Sequence, residues 1–111
     1  MATVPLNAFK TVTADLTTTL TNIYTAPAGV SSIILMAQIA NVSASAATAT
    51  FVHFNGTRST ELIKDFAIPG RDAASATTGK LVLESGQVIR ASASSNSTMK
   101  LTLSILESAN E

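Results

Sequence analysis

The stretch YTAPAGVSSIILMAQIANV, Tyr24 to Val42, decides the fold of this chain. It contains a turn around Pro27 and Gly29, followed by the longest apolar run of the sequence, Ile33 to Ile39. Proline presets φ and glycine accepts conformations that other residues avoid, so the chain can reverse sharply at this point. The stretch therefore predicts a strand end, a turn and then a central β-strand.

The central strand is apolar on both of its alternating sets of residues. A strand with one face in solvent alternates apolar and polar residues, and this strand does not. The two layers of a single small domain cover only one face of each strand, so the second face needs another subunit. We therefore predict a homo-oligomer. One alternating set contains Ile33, Leu35, Ala37 and Ile39, and the other contains Ile34, Met36, Ala40 and Val42. Within the second set, we place Ile34, Met36 or both at or near a subunit contact.

The rest of the chain shows short strand patterns separated by turn residues. Asn55-Gly56 predicts a type I′ hairpin turn, and Pro69-Gly70 predicts a type II turn with glycine at its third position. Ser85-Gly86 is predicted to close a second hairpin. The strand patterns cover Asn7–Ala14, Thr21–Thr25, Thr50–Phe54, Arg58–Phe66, Gly79–Leu83, Val88–Ala93 and Met99–Ile105.

The last of these patterns shows how a half-exposed strand looks in this chain. Met99, Leu101, Leu103 and Ile105 alternate with polar residues and are predicted to point inward. No segment has a sustained apolar period of 3.6 residues, and only Asp15–Thr19 could form a helical half-turn. We therefore predict an all-β fold: a jelly-roll-like β-sandwich of about eight short antiparallel strands, as a single domain over residues 1–111.

Composition narrows the classes of function. The chain of 111 residues has 46% hydrophobic residues, enough for one core, and only 13% charged residues. Its formal net charge of zero gives no electrostatic footprint for nucleic acid or an anionic membrane. The first residues lack a signal-peptide pattern, and no apolar run is long enough to cross a bilayer, so we expect synthesis in a cytoplasm.

Few residues of the sequence could carry chemistry. There is no Cys, and the single histidine, His53, cannot build a typical zinc site alone, so it is interpreted as a structural or interface residue. The segment Thr77–Lys80 lacks the glycine at position 74 and the hydroxyl residue at position 81 that a phosphate loop requires. The five aromatic rings are few enough to be used up by the core, which disfavours stacking on sugars or bases. No catalytic, metal or cofactor site is predicted.

Several segments together resemble small accessory structural proteins of tailed bacteriophage virions, most of all those of marine T4-like cyanophages. The resemblance extends over nearly the whole chain. The segments that carry it are TNIYTAPAG, IILMAQIANVS, IPG, GKLVLESGQVIRASAS and TLSILE.

The resemblance implies a non-enzymatic β-sandwich subunit, often a trimer, located in the virion after synthesis in the host cytoplasm. Its expected partners are itself and other virion proteins, such as the major capsid or tail proteins. Ile34, Met36 and Val42 would then contact another copy or the virion surface. An exterior decoration or accessory subunit is the first hypothesis, and a receptor- or glycan-binding module of a tail fibre or spike is the alternative.

Overall fold

The computed structural model describes residues 7–77 and 79–109, and in this part of the chain it contains nine β-strands and no helix. Accordingly, the described residues contain no helix able to span a membrane. The strands are β1 (Asn7–Asp15), β2 (Thr21–Thr25), β3 (Val30–Asn41), β4 (Ala47–Phe54), β5 (Ser59–Ile68), β6 (Ala73–Ser75), β7 (Leu81–Leu83), β8 (Val88–Ala93) and β9 (Met99–Ala109).

The strands form two antiparallel sheets. The five-stranded sheet has the order β1-β9-β3-β6, with β7 also paired to β3, and the four-stranded sheet has the order β2-β8-β4-β5. Strand β6 pairs with Gln38–Ala40 and β7 with Ser32–Ile34, so together they flank β3 as one interrupted strand. Counted in this way, eight strands have the jelly-roll order, in which successive strands lie in opposite sheets except for the hairpin of β4 and β5. The predicted all-β, jelly-roll-like sandwich is confirmed.

The core lies between the two sheets. Met99, Leu101, Leu103 and Ile105 of β9 are all buried there, as the alternation predicted. The four-stranded sheet contributes buried side chains from β4 and β8 to the same cluster, among them Phe51, Ile89 and Ala91. Burial of such side chains contributes about 1.5–3 kcal/mol each, so this cluster is the main source of stability among the described residues.

A β-bulge in β3 overturns the predicted division of its faces. Ile34 pairs with Ile105, and Met36 pairs with the adjacent Ser104, so Leu35 is an extra residue with no partner on β9. An extra residue shifts the period-two alternation by one position. Before the bulge Ile34 points into the core; after it Ala37 and Ile39 do, and Met36 points out. The prediction that Ile34 and Met36 share a face is therefore wrong.

The loop between β4 and β5 differs from the predicted turn. The two strands do form a hairpin, and Gly56 has the expected positive φ, 97°. Asn55 does not have a positive φ, and a type I′ turn needs one at both central residues. The Asn55 side-chain oxygen accepts hydrogen bonds from the backbone N–H groups of Thr57 (3.0 Å) and Arg58 (2.8 Å). These bonds stabilise a four-residue loop in place of the two-residue turn.

Two further turn predictions also need correction. At Pro69-Gly70 the positive φ belongs to Arg71 (60°) rather than to Gly70, so the predicted type II geometry is wrong. Gly70 is needed for space, since a Cβ there would lie within 2.4 Å of the Ala44 carbonyl oxygen. Ser85-Gly86 does form a turn, but it leads from β7 in one sheet to β8 in the other. The predicted second hairpin is therefore a crossover.

Candidate interaction surface

The outer face of the five-stranded sheet is the candidate functional site. It consists of the strand residues that alternate with the core residues. On β1 and β9 these residues are Asn7, Phe9, Thr11, Thr13, Asp15, Lys100, Thr102, Ser104, Leu106 and Ser108. On β3, β6 and β7 they are Ser31, Ile33, Met36, Gln38, Ala40, Ala73, Ser75 and Val82.

A row of four apolar side chains crosses this face at right angles to the strands. Register pairs Phe9 with Leu106, Leu106 with Ile33, and Ile33 with Val82. We call these four residues the apolar ladder. Its two ends are open to solvent, with Phe9 77% and Val82 56% exposed. Neighbouring side chains on one sheet face lie about 5 Å apart, so the ladder is a continuous apolar strip across the sheet.

Met36 extends the ladder along the sheet. It lies in the next outward-facing row, beside Ser104 and Thr11, and is 37% exposed. The bulged Leu35 lines a shallow depression together with Phe9 and Thr11. The bulge therefore adds two apolar side chains to the end of the outer face where the ladder lies.

The three residues predicted at a subunit contact are separated by the structure. Ile34 is fully buried in the core, so it offers no surface to a partner. Met36 lies beside the ladder on the outer face. Val42 is 55% exposed but follows the last residue of β3, nine residues beyond the ladder member Ile33. Only Met36 belongs to the apolar end of the face.

The outer face is electrically neutral. The only charged strand residues on it within the described part of the chain are Asp15 and Lys100, and their side chains form a salt bridge of 2.9 Å at the end away from the ladder. Between this ion pair and the ladder the residues are mainly Thr, Ser and Gln. Because the two charges compensate each other, the face neither attracts nor repels a charged partner at long range.

Around Arg90, the outer face of the four-stranded sheet is covered by its own side chains. Register places Arg90 between Asn22 and Val52. The Arg90 Nε donates to the Asn22 side-chain oxygen at 2.7 Å, and the guanidinium lies 3.9 Å from the centre of the Phe54 ring. Val52 is consequently buried although it points away from the core. The contrast identifies the outer face of the five-stranded sheet as the one with uncovered apolar residues.

A partly buried polar cluster joins β1, β2, β3 and β9. The Tyr24 hydroxyl donates to the Glu107 carboxylate at 2.5 Å and lies 2.7 Å from the Ser32 hydroxyl, while Lys10 is 3.3 Å from the same carboxylate. Burial, and then the hydrogen bond to Glu107, raises the pKa of Tyr24 to about 12. Each polar side chain of the cluster has a hydrogen-bond or ion-pair partner within it. Because Tyr24 belongs to one sheet and its partners to the other, the cluster links the two sheets at this end of the sandwich.

Other candidates for chemistry have structural partners. His53 points to the core side of β4, and its Nε2 is 2.9 Å from the Gln87 side-chain oxygen. In the part of the chain that the structure describes, no three His, Cys, Asp or Glu residues lie close enough to hold a metal ion.

Most of the ladder is not apparent from the sequence. All five aromatic rings were expected in the core, but Phe9 is mostly exposed and Phe66 is nearly half exposed. Phe9 and Val82 lie on strands predicted from their pattern, yet the row forms only when β1, β9, β3 and β7 lie side by side. Phe9 alternates with Ala8 and Lys10, but this alternation alone does not say which set of residues faces outward. The pairing of β1 with β9 decides it, because Phe9 then shares a row with Leu106.

No family model and no curated protein matches the sequence. Among solved structures, one similar chain comes from the T13 IBDV viral particle, with a TM-score of 0.58 and 8% identity. The match covers 96% of the present chain, which spans 32% of that chain's length. Another comes from Bacillus endospore appendages, a family of disulfide-linked pili, with a TM-score of 0.57, 8% identity and coverage of 100% and 98%. These likenesses show the β-sandwich fold.

Proposed function

We propose that this protein is a structural subunit of a bacteriophage virion, an accessory or decoration protein on the capsid, neck or tail. The observation that carries the proposal is the apolar ladder, whose ends Phe9 and Val82 are open to solvent on an otherwise neutral face. Apolar patches on soluble monomers are seldom large unless they bind something. A subunit that works by surface burial needs such a patch and needs no reactive side chain.

Fold and composition support this role. Jelly rolls occur in viral capsid proteins, and one similar solved structure comes from a viral particle. The pilus subunit offers a second comparison, but its family is disulfide-linked and the present 111 residues contain no Cys. These residues therefore cannot form the disulfide links of that pilus family. The low charged fraction, 13%, suits a surface that is mostly in contact with other subunits.

The proposed mechanism is linkage between binding and stability. A subunit that binds the assembled shell or tube, and not its dissociated proteins, shifts the equilibrium towards the assembly as occupancy rises. At a free concentration about a hundredfold above the dissociation constant, each site gains roughly 2.7 kcal/mol of stabilisation. Summed over many identical sites, a modest affinity per subunit can reinforce a particle strongly.

Cryo-electron microscopy of purified virions from a phage that encodes this chain tests the proposal. We expect many copies in regular positions on the shell, neck or tail, with the outer face of the five-stranded sheet out of solvent. A few copies at the distal tips of fibres or spikes would instead indicate the receptor- or glycan-binding role. Absence of the chain from purified virions would refute a virion function altogether.

A further inference from the structure

We infer that the partner of this outer face is a second copy of the same chain, in a two-fold dimer with the two five-stranded sheets face to face. The inference deepens the proposed function, on which it rests, by naming what covers the apolar ladder. A two-fold interface uses the same patch on both subunits, so the patch must complement itself. Geometry, charge and area on this face all meet that condition.

The order of the strands makes the face self-complementary. In this dimer the two-fold axis lies between the two faces, parallel to the strands and midway between β9 and β3. Each row of side chains across one sheet then faces the same row of the second copy. The strand order β1-β9-β3-β7 of one copy runs opposite to that of the other. Phe9 then lies over the second copy's Val82, and Leu106 over its Ile33. The large ring at one end of the ladder meets the smaller side chain at the other end. Aligned sheet faces pack about 10 Å apart in this way.

The same rotation keeps like charges apart. Asp15 and Lys100 share a row with Ala40 and Ala73. In the dimer Asp15 lies over the second copy's Ala73, and Lys100 over its Ala40. Each ion pair remains intact within its own subunit, at 2.9 Å, and no charge meets its like. Like charges placed opposite each other would oppose association, and this arrangement has none among the strand residues of the face.

The area of the face is sufficient for a dimer. Strand β1 has nine residues and therefore extends over about 30 Å, and neighbouring strands lie about 4.8 Å apart. The fourth position is filled only by the three-residue strands β6 and β7, so the face offers roughly 500 Å² per copy, or about 1,000 Å² for the pair, the smallest area expected of a biological interface. The apolar ladder crosses its full width, with the aliphatic Leu106 and Ile33 on the two central strands and Phe9 and Val82 at the edges.

Pairing of two copies through the free edge of β1 is disfavoured by Lys10. This residue shares an inward-facing row with Ile105 and Ile34, and it forms an ion pair with Glu107. An inward-pointing charge on an edge strand is a common means of preventing strand addition, because the added strand would bury the charge. Face-to-face contact leaves Lys10 where it is.

Sedimentation velocity on the isolated protein, over a micromolar concentration range, tests the dimer. The test variant is Phe9→Lys with Val82→Lys, and the matched control is Val42→Lys, because Val42 and Val82 are equally exposed, 55% and 56%. Lysine at such exposed positions leaves the fold intact, which a urea transition confirms for each variant. Loss of an apolar anchor raises the dissociation constant of an interface about thirtyfold. Two-fold symmetry repeats the contact between Phe9 and the second copy's Val82, so its loss should raise the dissociation constant by about a thousandfold.

We expect the wild type and Val42→Lys to be dimers and the double variant to be a folded monomer. A monomeric or trimeric wild type, or a double variant that stays dimeric, would overturn the inference. Loss of the dimer in Val42→Lys would overturn it as well, because the contact would then lie at the other end of the face. The proposed function fails separately: a dimer that is absent from virions refutes only the virion role, and a monomer found in virions refutes only the dimer.

Discussion

Deletion of Leu35 tests the β-bulge that orients the central strand. Ile34 and Met36 pair with Ile105 and Ser104, which are consecutive on β9. Removal of Leu35 would therefore join two stretches that are already in register and produce a regular antiparallel ladder. The core residues on both sides of the deletion keep their inward positions. The loss is limited to the contacts of one partly buried leucine.

Deletion of Thr102 in the neighbouring strand β9 should have a far larger effect. The pairing of β9 with β1 has no bulge, and β3 is already one residue longer than its partner at Leu35, so neither neighbouring strand can absorb the loss. Met99 and Leu101 would turn from the core to the outer face, and exposure of these buried side chains costs about 1.5–3 kcal/mol each. Lys100 would turn towards the core and lose its salt bridge of 2.9 Å to Asp15.

The free energy of unfolding of both variants can be measured by urea titration with circular dichroism. We expect the Leu35 deletion to cost about 1 kcal/mol and to keep a cooperative transition. The Thr102 deletion should cost roughly 5 kcal/mol, comparable with the whole stability of a small domain, and should abolish the transition. Equal losses in the two variants would refute the assignment of Leu35 as the extra residue.

Two further predictions concern a close approach and a buried hydroxyl. Gly70→Ala should destabilise the protein by about 1–3 kcal/mol in urea titration, because its Cβ would lie 2.4 Å from the Ala44 carbonyl oxygen. Gly79→Ala is the control: its Cβ meets open space, and the free energy of unfolding should change by less than about 0.5 kcal/mol. Equal effects of the two substitutions would contradict the close approach at Gly70. Because the pKa of Tyr24 is raised from 10.0 to about 12, its contribution is complete below pH 10 and is lost as the pH rises from 10 towards 12. The free energy of unfolding should fall by up to about 2.7 kcal/mol over this range, beyond the decrease measured in Tyr24→Phe; parallel pH profiles for the two proteins would contradict the assignment.

The fold could be predicted from the sequence because its signals are local. The alternation of Met99–Ile105 and the Thr21–Thr25 pattern each correspond to an observed strand. The face assignment of the central strand could not be predicted, since a bulge is a property of the pairing between β3 and β9. The sequence shows an apolar residue at position 35 but not that it lacks a partner. The turn type at Pro69-Gly70 was predicted wrongly for a similar reason. Gly70 packs closely against the Ala44 backbone, and the residue with positive φ is Arg71, which the sequence of the turn alone does not show.

The candidate site depended still more on tertiary structure. Phe9 and Val82 are separated by most of the chain and become members of one row only through β9 and β3. β3 does place apolar side chains on the outer face, Ile33 and Met36 among them. The sequence predicts Ile34 on that face instead of Ile33, because the bulge at Leu35 that reverses the alternation cannot be seen in the sequence.

Thiol accessibility in the assembled particle tests most directly whether the outer face is buried there. The chain contains no Cys, so Val82→Cys and Val42→Cys each introduce a single reactive group, at positions of nearly equal exposure in the isolated subunit. The rate of maleimide labelling is measured for each variant in purified particles and again after dissociation and dilution of the subunit. We expect Val82→Cys to be protected in particles and to react freely after dilution, while Val42→Cys reacts in both states. Equal labelling of the two thiols in intact particles would contradict the claim that assembly buries the apolar ladder.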